Sequence, residues 1–388
     1  MRSKRGYLLF LVLTLTVAGC GQASDLFGSL TGVPVNGVAP WQKIDMDPDT
    51  ELIQPYIIYG EFGTRLIEPF YLVHDDLRYC YFEKADIQEM DEADPLITSE
   101  ILFAISRDGL DWELKYDGRP MLAADEPWEA GAVGAPSVLQ IDGRFYMWFA
   151  GGNGAGIGVA ESSDGVNWTK YAGNPVLTPR QKWEGGDDGI VGSPSVIHHQ
   201  GRYIMYYSGG LAEGTAMARR SGYAIGYAES EDGIDWIKHD AAGRNDRDGA
   251  ANVKPIFVAS QTWEGFIAGR TQGWVSTPQV MVVRPLDREV FHMYYTGNMM
   301  GDPIAIDVSI GFAGSFDGLN WEAANPPVNP ILQENFSLTL PGLSKYLLYS
   351  EFTPSVVRLG EKYWMLYSQI EPMDAKHGLA LAVNKPDK

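Results

Sequence analysis

Short apolar strands with small side chains recur along the chain, and four of them end in the same polar turn. Its pattern is Ser-x-Asp-Gly-x-x-Trp, found at Ser106–Trp112, Ser162–Trp168, Ser230–Trp236 and Ser315–Trp321. Asp-Gly between apolar runs is a strong signal for a tight hairpin turn. We therefore predict that each copy joins two antiparallel strands, with the Trp on the return strand, and that the turn serves the fold rather than chemistry.

A second repeated element precedes each of these strands, and it occurs five times. A proline opens an apolar strand, a short polar turn follows, and an aromatic strand such as RFYMWFA returns. The prolines are Pro69, Pro136, Pro194, Pro278 and Pro354. Strand, short turn, strand, long loop, strand, Asp-Gly turn and strand make one four-stranded propeller blade.

The sequence thus predicts an all-β fold, a five-bladed β-propeller of four-stranded antiparallel blades. The fifth unit has no Asp-Gly-x-x-Trp turn before Lys388, so its outer strand has to come from elsewhere. We expect the segment around Leu52–Gly60 to supply it and to close the ring.

Antiparallel alternation predicts which face of the propeller can carry a site. The short, stereotyped turns all lie on one face, whereas the links between blades and the longer loops lie on the other. These loops are Glu83–Ser99, Gly151–Gly156, Gly209–Gly222, Gly297–Val308 and Ile370–His377. Because variable loops on a rigid scaffold are where binding sites tend to be built, function is expected on this second face.

Composition and charge narrow the class of protein. The 388 residues are 45% hydrophobic, which excludes wholesale disorder. The formal charge of −20 repels polyphosphates, so no nucleic-acid partner is expected.

The first residues read as an export signal. A basic start and an apolar run lead to Val17-Ala18-Gly19-Cys20, which resembles the signal of bacterial lipoproteins. We predict a signal peptide at 1–19, lipidation at Cys20, a tether at 20–40 and the propeller at 41–388; a plain signal or a short membrane anchor is the alternative. The expected location is the bacterial cell envelope, lipid-anchored to a membrane and exposed to the periplasm or the cell exterior, and the expected state is a monomer.

Candidate site residues lie where inner strands begin on the second face. The acids that do not recur with the repeat are Glu68, Asp187, Asp188 and Glu351. The dipeptide Trp-Glu recurs with the repeat, beginning at Trp128, Trp183 and Trp263. It is interpreted either as a structural element that joins blades or as a wall on which sugars stack. Arg270 and Trp274 could bind a hydroxyl group and provide a stacking plane.

With five Pro-led inner strands and the repeated Asp-Gly turns, the region from Trp41 to Lys388 resembles the superfamily of arabinanases, β-xylosidases and β-fructosidases. The resemblance implies a carbohydrate partner and three funnel carboxylates, near the prolines of the first three blades. Glu68 stands at the first position, whereas Ala135-Pro136-Ser137 and Gly192-Ser193-Pro194 carry no acid.

Two hypotheses follow for function. In the first, the protein hydrolyses glycosidic bonds with Glu68 as base or nucleophile and Asp188 or Glu351 as acid, while Asp187, the three Trp-Glu tryptophans, Arg270 and Trp274 bind substrate. In the second, it is a non-catalytic glycan-binding or scaffold lipoprotein. No cofactor is predicted from the residues, although the resemblance allows a divalent cation at the ring centre, for which His292 and His377 are the hints.

Overall fold

The computed structural model confirms the five-bladed propeller. The described residues are 41–44, 57–59, 64–88, 96–210, 223–247, 252–265, 273–285, 288–298, 308–325, 328–332, 350–371 and 376–384. No helix within these ranges is long and apolar enough to cross a membrane. The predicted signal and tether lie outside them.

Each blade is one antiparallel sheet whose first strand lies innermost. Blade 1 contains β3 (Thr64–His74), β4 (Leu77–Gln88), β5 (Leu96–Ser106) and β6 (Trp112–Leu114), and β7 (Leu122–Ala123) also pairs with β5. Blade 2 contains β8 (Val133–Ile141), β9 (Arg144–Gly151), β10 (Gly156–Ser162) and β11 (Thr169–Lys170). Blade 3 contains β12 (Ile190–His199), β13 (Arg202–Gly210), β14 (Ala224–Ser230) and β15 (Ile237–His239).

The remaining two blades complete the ring. Blade 4 contains β16 (Trp274–Val283), β17 (Val290–Asn298), β18 (Val308–Ser315) and β19 (Glu322–Ala323). Blade 5 contains β20 (Ser350–Leu359), β21 (Lys362–Glu371) and β22 (Lys376–Asn384), together with β1 (Trp41–Lys43) and β2 (Ile58–Tyr59). Each inner strand contacts the inner strands of both neighbouring blades.

The ring is closed by a strand different from the one we predicted. The fourth strand of blade 5 is β1, which pairs with β22 from Trp41 opposite Asn384 to Lys43 opposite Ala382. The described part of the predicted segment, residues 57–59, contributes β2, which pairs with the other half of β22. The sequence Trp41-Gln42-Lys43 repeats the Trp-x-Lys pattern of the outer strands in blades 2 and 3, a signal that our search for Asp-Gly turns overlooked.

The hydrophobic core is divided among the five interfaces between neighbouring blades. Between blades 1 and 2, for example, Tyr81 and Phe103 pack with Val138, Met147 and Phe149, all of them buried. The aromatic residues of the second strands thus fill the wedges between sheets. Burial of such large apolar side chains is the main stabilising contribution in a fold of this kind.

Every inner strand has a β-bulge at its proline. The residue before each proline has a positive φ between 43° and 52°, and the pairing register shifts there. These residues are Glu68, Ala135, Ser193, Thr277 and Thr353. A bulge redirects the side chain that it carries. All five bulge residues line a cavity on the propeller axis.

Hydrogen bonds between blades hold these bulges. In four of the five, the bulge N–H donates to a side chain of the preceding blade's second strand. The acceptors are Glu83 for Ala135, Ser208 for Thr277, Thr296 for Thr353 and Ser368 for Glu68. A buried backbone N–H needs such a partner.

A second set of hydrogen bonds joins neighbouring inner strands just below the bulges. Ser137 accepts the N–H of Val196, and Ser195 accepts the N–H of Val280. In the same way Ser355 accepts the N–H of Tyr71, which joins blade 5 to blade 1. The blades are therefore connected by polar contacts on the axis as well as by apolar packing.

The Asp-Gly turns are structural, as predicted. Their glycines, at 109, 165, 233 and 318, all have φ between +75° and +84°. The turn aspartate accepts backbone N–H groups, and the N–H of Asn167 contributes most to holding the pKa of Asp164 well below its usual value. Neighbouring blades also bind the turns, since Tyr206 donates its hydroxyl to the carbonyl of Gly318.

We predict that replacing the glycine of an Asp-Gly turn with alanine lowers the free energy of unfolding by more than backbone strain alone would. In Gly318→Ala the new Cβ would lie 2.6 Å from the Tyr206 hydroxyl, whereas in Gly360→Ala, at φ +63°, it would meet nothing within 4 Å. We expect a loss of about 1 kcal/mol for Gly360→Ala and about 2–3 kcal/mol for Gly318→Ala, measured by urea denaturation. Equal losses would show that the contact between blades contributes nothing.

Candidate functional site

The axis of the propeller contains a cavity formed by all five blades. It has a volume of about 30 Å³ and is lined by the bulge residues, their prolines and the residues that follow. A cavity of this size accommodates one or two water molecules or a single hydroxyl group. It lies nearer the end at which the inner strands begin, which is the end where function was expected.

Glu68 is the one carboxylate among the residues that line this cavity. Its backbone N–H donates to the Ser368 hydroxyl at 3.1 Å, so blade 5 fixes the bulge that carries it. Its Oε1 accepts the hydroxyl of Ser193 at 3.2 Å, across the axis in blade 3. The structure thus places Glu68 at the centre of the ring, where a polar group of a ligand can reach it.

Asp187 and Asp188 lie on the rim of the same face. They belong to the 3-10 turn Gly186–Asp188, directly before β12, and both side chains are exposed. Neither lines the axial cavity. They are therefore available to a bound ligand that extends outward from the axis.

Glu351 has surroundings that favour a structural role over the predicted role as an acid. Its carboxylate is fully buried and forms an ion pair with Lys43 of the ring-closing strand. Outer-strand lysines bind buried glutamates in the same way in two other blades, Lys170 with Glu129 at 2.7 Å and Lys238 with Glu184 at 2.6 Å. A general acid has to reach the leaving oxygen of the substrate, which a carboxylate held in this way does not.

The Trp-Glu pairs also have structural surroundings. Glu129, Glu184 and Glu264 are fully buried, and each accepts backbone N–H groups of its own 3-10 turn. The preceding tryptophans pack on glycines of their own blade, as Trp128 does on Gly151. Trp183 stacks on Tyr207 with ring centroids 6.0 Å apart, and Trp128 and Trp263 lie on equivalent aromatic rings. These contacts lie within one blade and give each Trp-Glu pair a structural role there.

Trp274 is placed differently from these tryptophans. It is the first residue of β16 and is partly buried, at the end of the strand that faces the rim. Its ring lies against Tyr223, with centroids 5.3 Å apart and an interplanar angle of 37°. Arg270, its predicted neighbour in the site, lies outside the described residues.

The described donors do not fit a divalent cation at the ring centre. No group of three or more His, Cys, Asp or Glu side chains in the described ranges could hold a metal ion. His292 is fully buried against Phe312, and burial, with the charge of Arg65, lowers the pKa of His377 to about 4. One axial carboxylate is too few for Ca²⁺ or Mg²⁺ without several other oxygen ligands.

Comparison with solved structures shows the fold of this chain in carbohydrate-processing enzymes. A structure described as a glycoside hydrolase matches with a TM-score of 0.63 and 15% identity, over 95% of this chain and 97% of that one. A thermostable family-43 glycoside hydrolase matches with a TM-score of 0.55 and 19% identity, over 83% and 91%.

A third similar structure comes from the GH130 family of mannoside phosphorylases, described as containing hydrolases of β-1,2 mannosidic linkages in Candida mannan. It matches with a TM-score of 0.54 and 15% identity, over 88% of this chain and 90% of that one. No family model and no curated protein matches the sequence. This chain has the fold of the five-bladed glycoside hydrolases.

Within this glycoside-hydrolase fold, Glu83 is a carboxylate near the axis that our sequence analysis did not select. It lies in the middle of β4, opposite Ile67, and its Oε2 accepts the N–H of Ala135 at 3.2 Å. Alignment of the five aromatic strands would have identified it, because the equivalent residues are Ala150, Ser208, Thr296 and Ser368. Glu83 alone among the five is charged.

We predict that Lys43→Met strongly destabilises the propeller. It removes the cation from the fully buried Glu351 carboxylate, so we expect a loss of about 3–5 kcal/mol, measured by urea denaturation. The matched control is Arg144→Met in the exposed Arg144–Glu161 pair, where about 0–1 kcal/mol is expected. Similar losses for the two variants would mean that the ion pair contributes little to ring closure.

Proposed function

We propose that the protein is a carbohydrate-active protein of the glycoside-hydrolase type and that it hydrolyses glycosidic bonds at the mouth of the axial cavity, between Glu68 and the rim. The observation that carries this proposal is Glu68, the lining carboxylate of the cavity, held on the axis by contacts to blades 5 and 3. Solved structures of similar fold that are described as glycoside hydrolases support the same conclusion.

Hydrolysis of a glycosidic bond requires two groups. One donates a proton to the leaving oxygen, and the other activates water or attacks the anomeric carbon. We assign Glu68 the role of base or nucleophile. Asp188 is the candidate acid, because it is exposed on the rim beside the entrance of blade 3, whose Ser193 binds Glu68.

The substrate would extend from the axis toward the rim. Trp274 and Tyr223 form an aromatic pair at the entrance of blade 4, and such rings bind the apolar faces of sugars. Asp187, beside Asp188, can accept hydrogen bonds from sugar hydroxyls. Arg270 remains a predicted hydroxyl-binding residue.

A second candidate function is glycan binding without catalysis. It is favoured by Ala135 and Ser193, which stand where the resemblance to the five-bladed hydrolases leads us to expect carboxylates. Under this hypothesis the cavity binds a sugar hydroxyl through Glu68 and turns nothing over.

Glu68→Gln separates the two functions. It keeps the volume and removes the charge, so under hydrolysis we expect turnover to fall by about two orders of magnitude or more with the melting temperature unchanged within a few degrees. The measurement is turnover of a panel of aryl glycosides and oligosaccharides, with the exposed Glu113→Gln as control.

Two other outcomes are informative. Full turnover by Glu68→Gln would eliminate Glu68 and direct the search to Asp187 and Asp188. Binding of a glycan by the unmodified protein, weakened in the variant and without any cleavage, would establish the binding function instead.

We also propose that the protein is a lipoprotein attached to the cell envelope through Cys20. The support is the sequence Val17-Ala18-Gly19-Cys20 after a basic start and an apolar run. Cys20→Ser should release the protein from the membrane fraction or leave it unprocessed, as judged by fractionation and mass spectrometry. Unchanged membrane attachment and processing would refute the proposal.

A further inference from the structure

The five blades provide an internal comparison of what the fold requires beside each bulge. At the end of the second strand, Ser208, Thr296 and Ser368 each accept a bulge N–H through a hydroxyl group. Blade 2 has Ala150 at this position, which cannot accept a hydrogen bond, and the bulge at Ser193 of blade 3 still forms. A small, neutral side chain is therefore sufficient for the fold at this position. The fold does not require the larger, acidic side chain of Glu83.

The chain makes room for this larger side chain. Gly134, the neighbour of Ala135 in β8, lies so close that a Cβ added to it would be 1.8 Å from Glu83 Oε2. The equivalent glycine of blade 3, Gly192, has only Ala150 at 3.6 Å. The glycine at 134 thus accommodates the carboxylate of Glu83.

This arrangement holds a negative charge directly behind the wall of the axial cavity. Glu83 is partly buried, and its carboxylate accepts the N–H of Ala135 at 3.2 Å. Ala135 in turn lines the cavity together with Glu68 and Ser193. The carboxylate of Glu83 therefore contacts the back of a residue that lines the site.

We propose that Glu83 is a positioning residue that supplies, from behind Ala135, the negative charge that stabilises positive charge on a sugar ring bound at Glu68. This inference rests on the proposed function. The transition state of glycoside hydrolysis is oxocarbenium-like, with positive charge shared between the anomeric carbon and the ring oxygen. A carboxylate already fixed by a backbone N–H stabilises such charge without reorganising during the reaction.

The proposal predicts a preference that depends on ligand charge. Hydroxylated pyrrolidines and piperidines are protonated at neutral pH and place a positive charge within a sugar-like ring. Neutral monosaccharides of the same ring size and configuration lack that charge. We expect Glu83 to strengthen binding of the protonated rings far more than binding of the neutral sugars.

Glu83→Ser tests this, because serine occupies the same position in blades 3 and 5 and keeps an acceptor for the Ala135 N–H. We expect affinity for the best-bound protonated ring to fall about tenfold, with a change of less than about threefold for the matching neutral sugar, both by calorimetry. We also expect turnover to fall with KM nearly unchanged and the melting temperature to stay within about 3 °C. Glu83→Gln, which keeps the shape, should behave in the same way.

The outcomes distinguish this inference from the proposed function. Equal effects on charged and neutral probes, no effect at all, or a large fall in the melting temperature of both variants would overturn the role of Glu83. Glu68→Gln serves as reference: if it abolishes turnover while Glu83→Ser does not reduce it, the proposed function stands and this inference fails. If no probe binds and no glycan of the panel is cleaved by the unmodified protein, the proposed function fails and the inference fails with it.

Discussion

The pairing of four of the five bulge N–H groups with side chains of the preceding blades is the interaction that orders the axis of this structure. A bulge beside a proline leaves a donor that the sheet does not use, and a neighbouring blade provides the acceptor. Packing alone could let blades slide against one another. These hydrogen bonds fix four of the bulges relative to the neighbouring blades, and all five bulge residues line the axial cavity.

The same constraint makes the five blades comparable position by position. At the bulge position before each proline, four of the five blades have a small, neutral residue. These residues are Ala135, Ser193, Thr277 and Thr353. Departures from that pattern carry information about function. Glu68 is one, and it lies on the axis.

The sequence predicted the features that local backbone preferences determine. It did not predict the roles of residues whose partners are distant in the chain. Asp-Gly and Pro act through their own backbone preferences, so the strands, the turns and the five blades followed directly. Glu351 looked like a catalytic acid because its partner Lys43 is 308 residues away. Glu83 was overlooked because its importance shows only when the repeats are compared at a position that carries no motif.

Closure of blade 5 by β1 has a consequence for how the protein folds. The strand that completes the last sheet is made first, and it has to find β22 after the intervening four blades have been synthesised. Contacts of such large sequence separation slow folding, since a long chain segment must be ordered before they form. Until they form, β22 presents an unpaired edge that can join another chain. The period between synthesis and ring closure is therefore when this protein is most prone to aggregate.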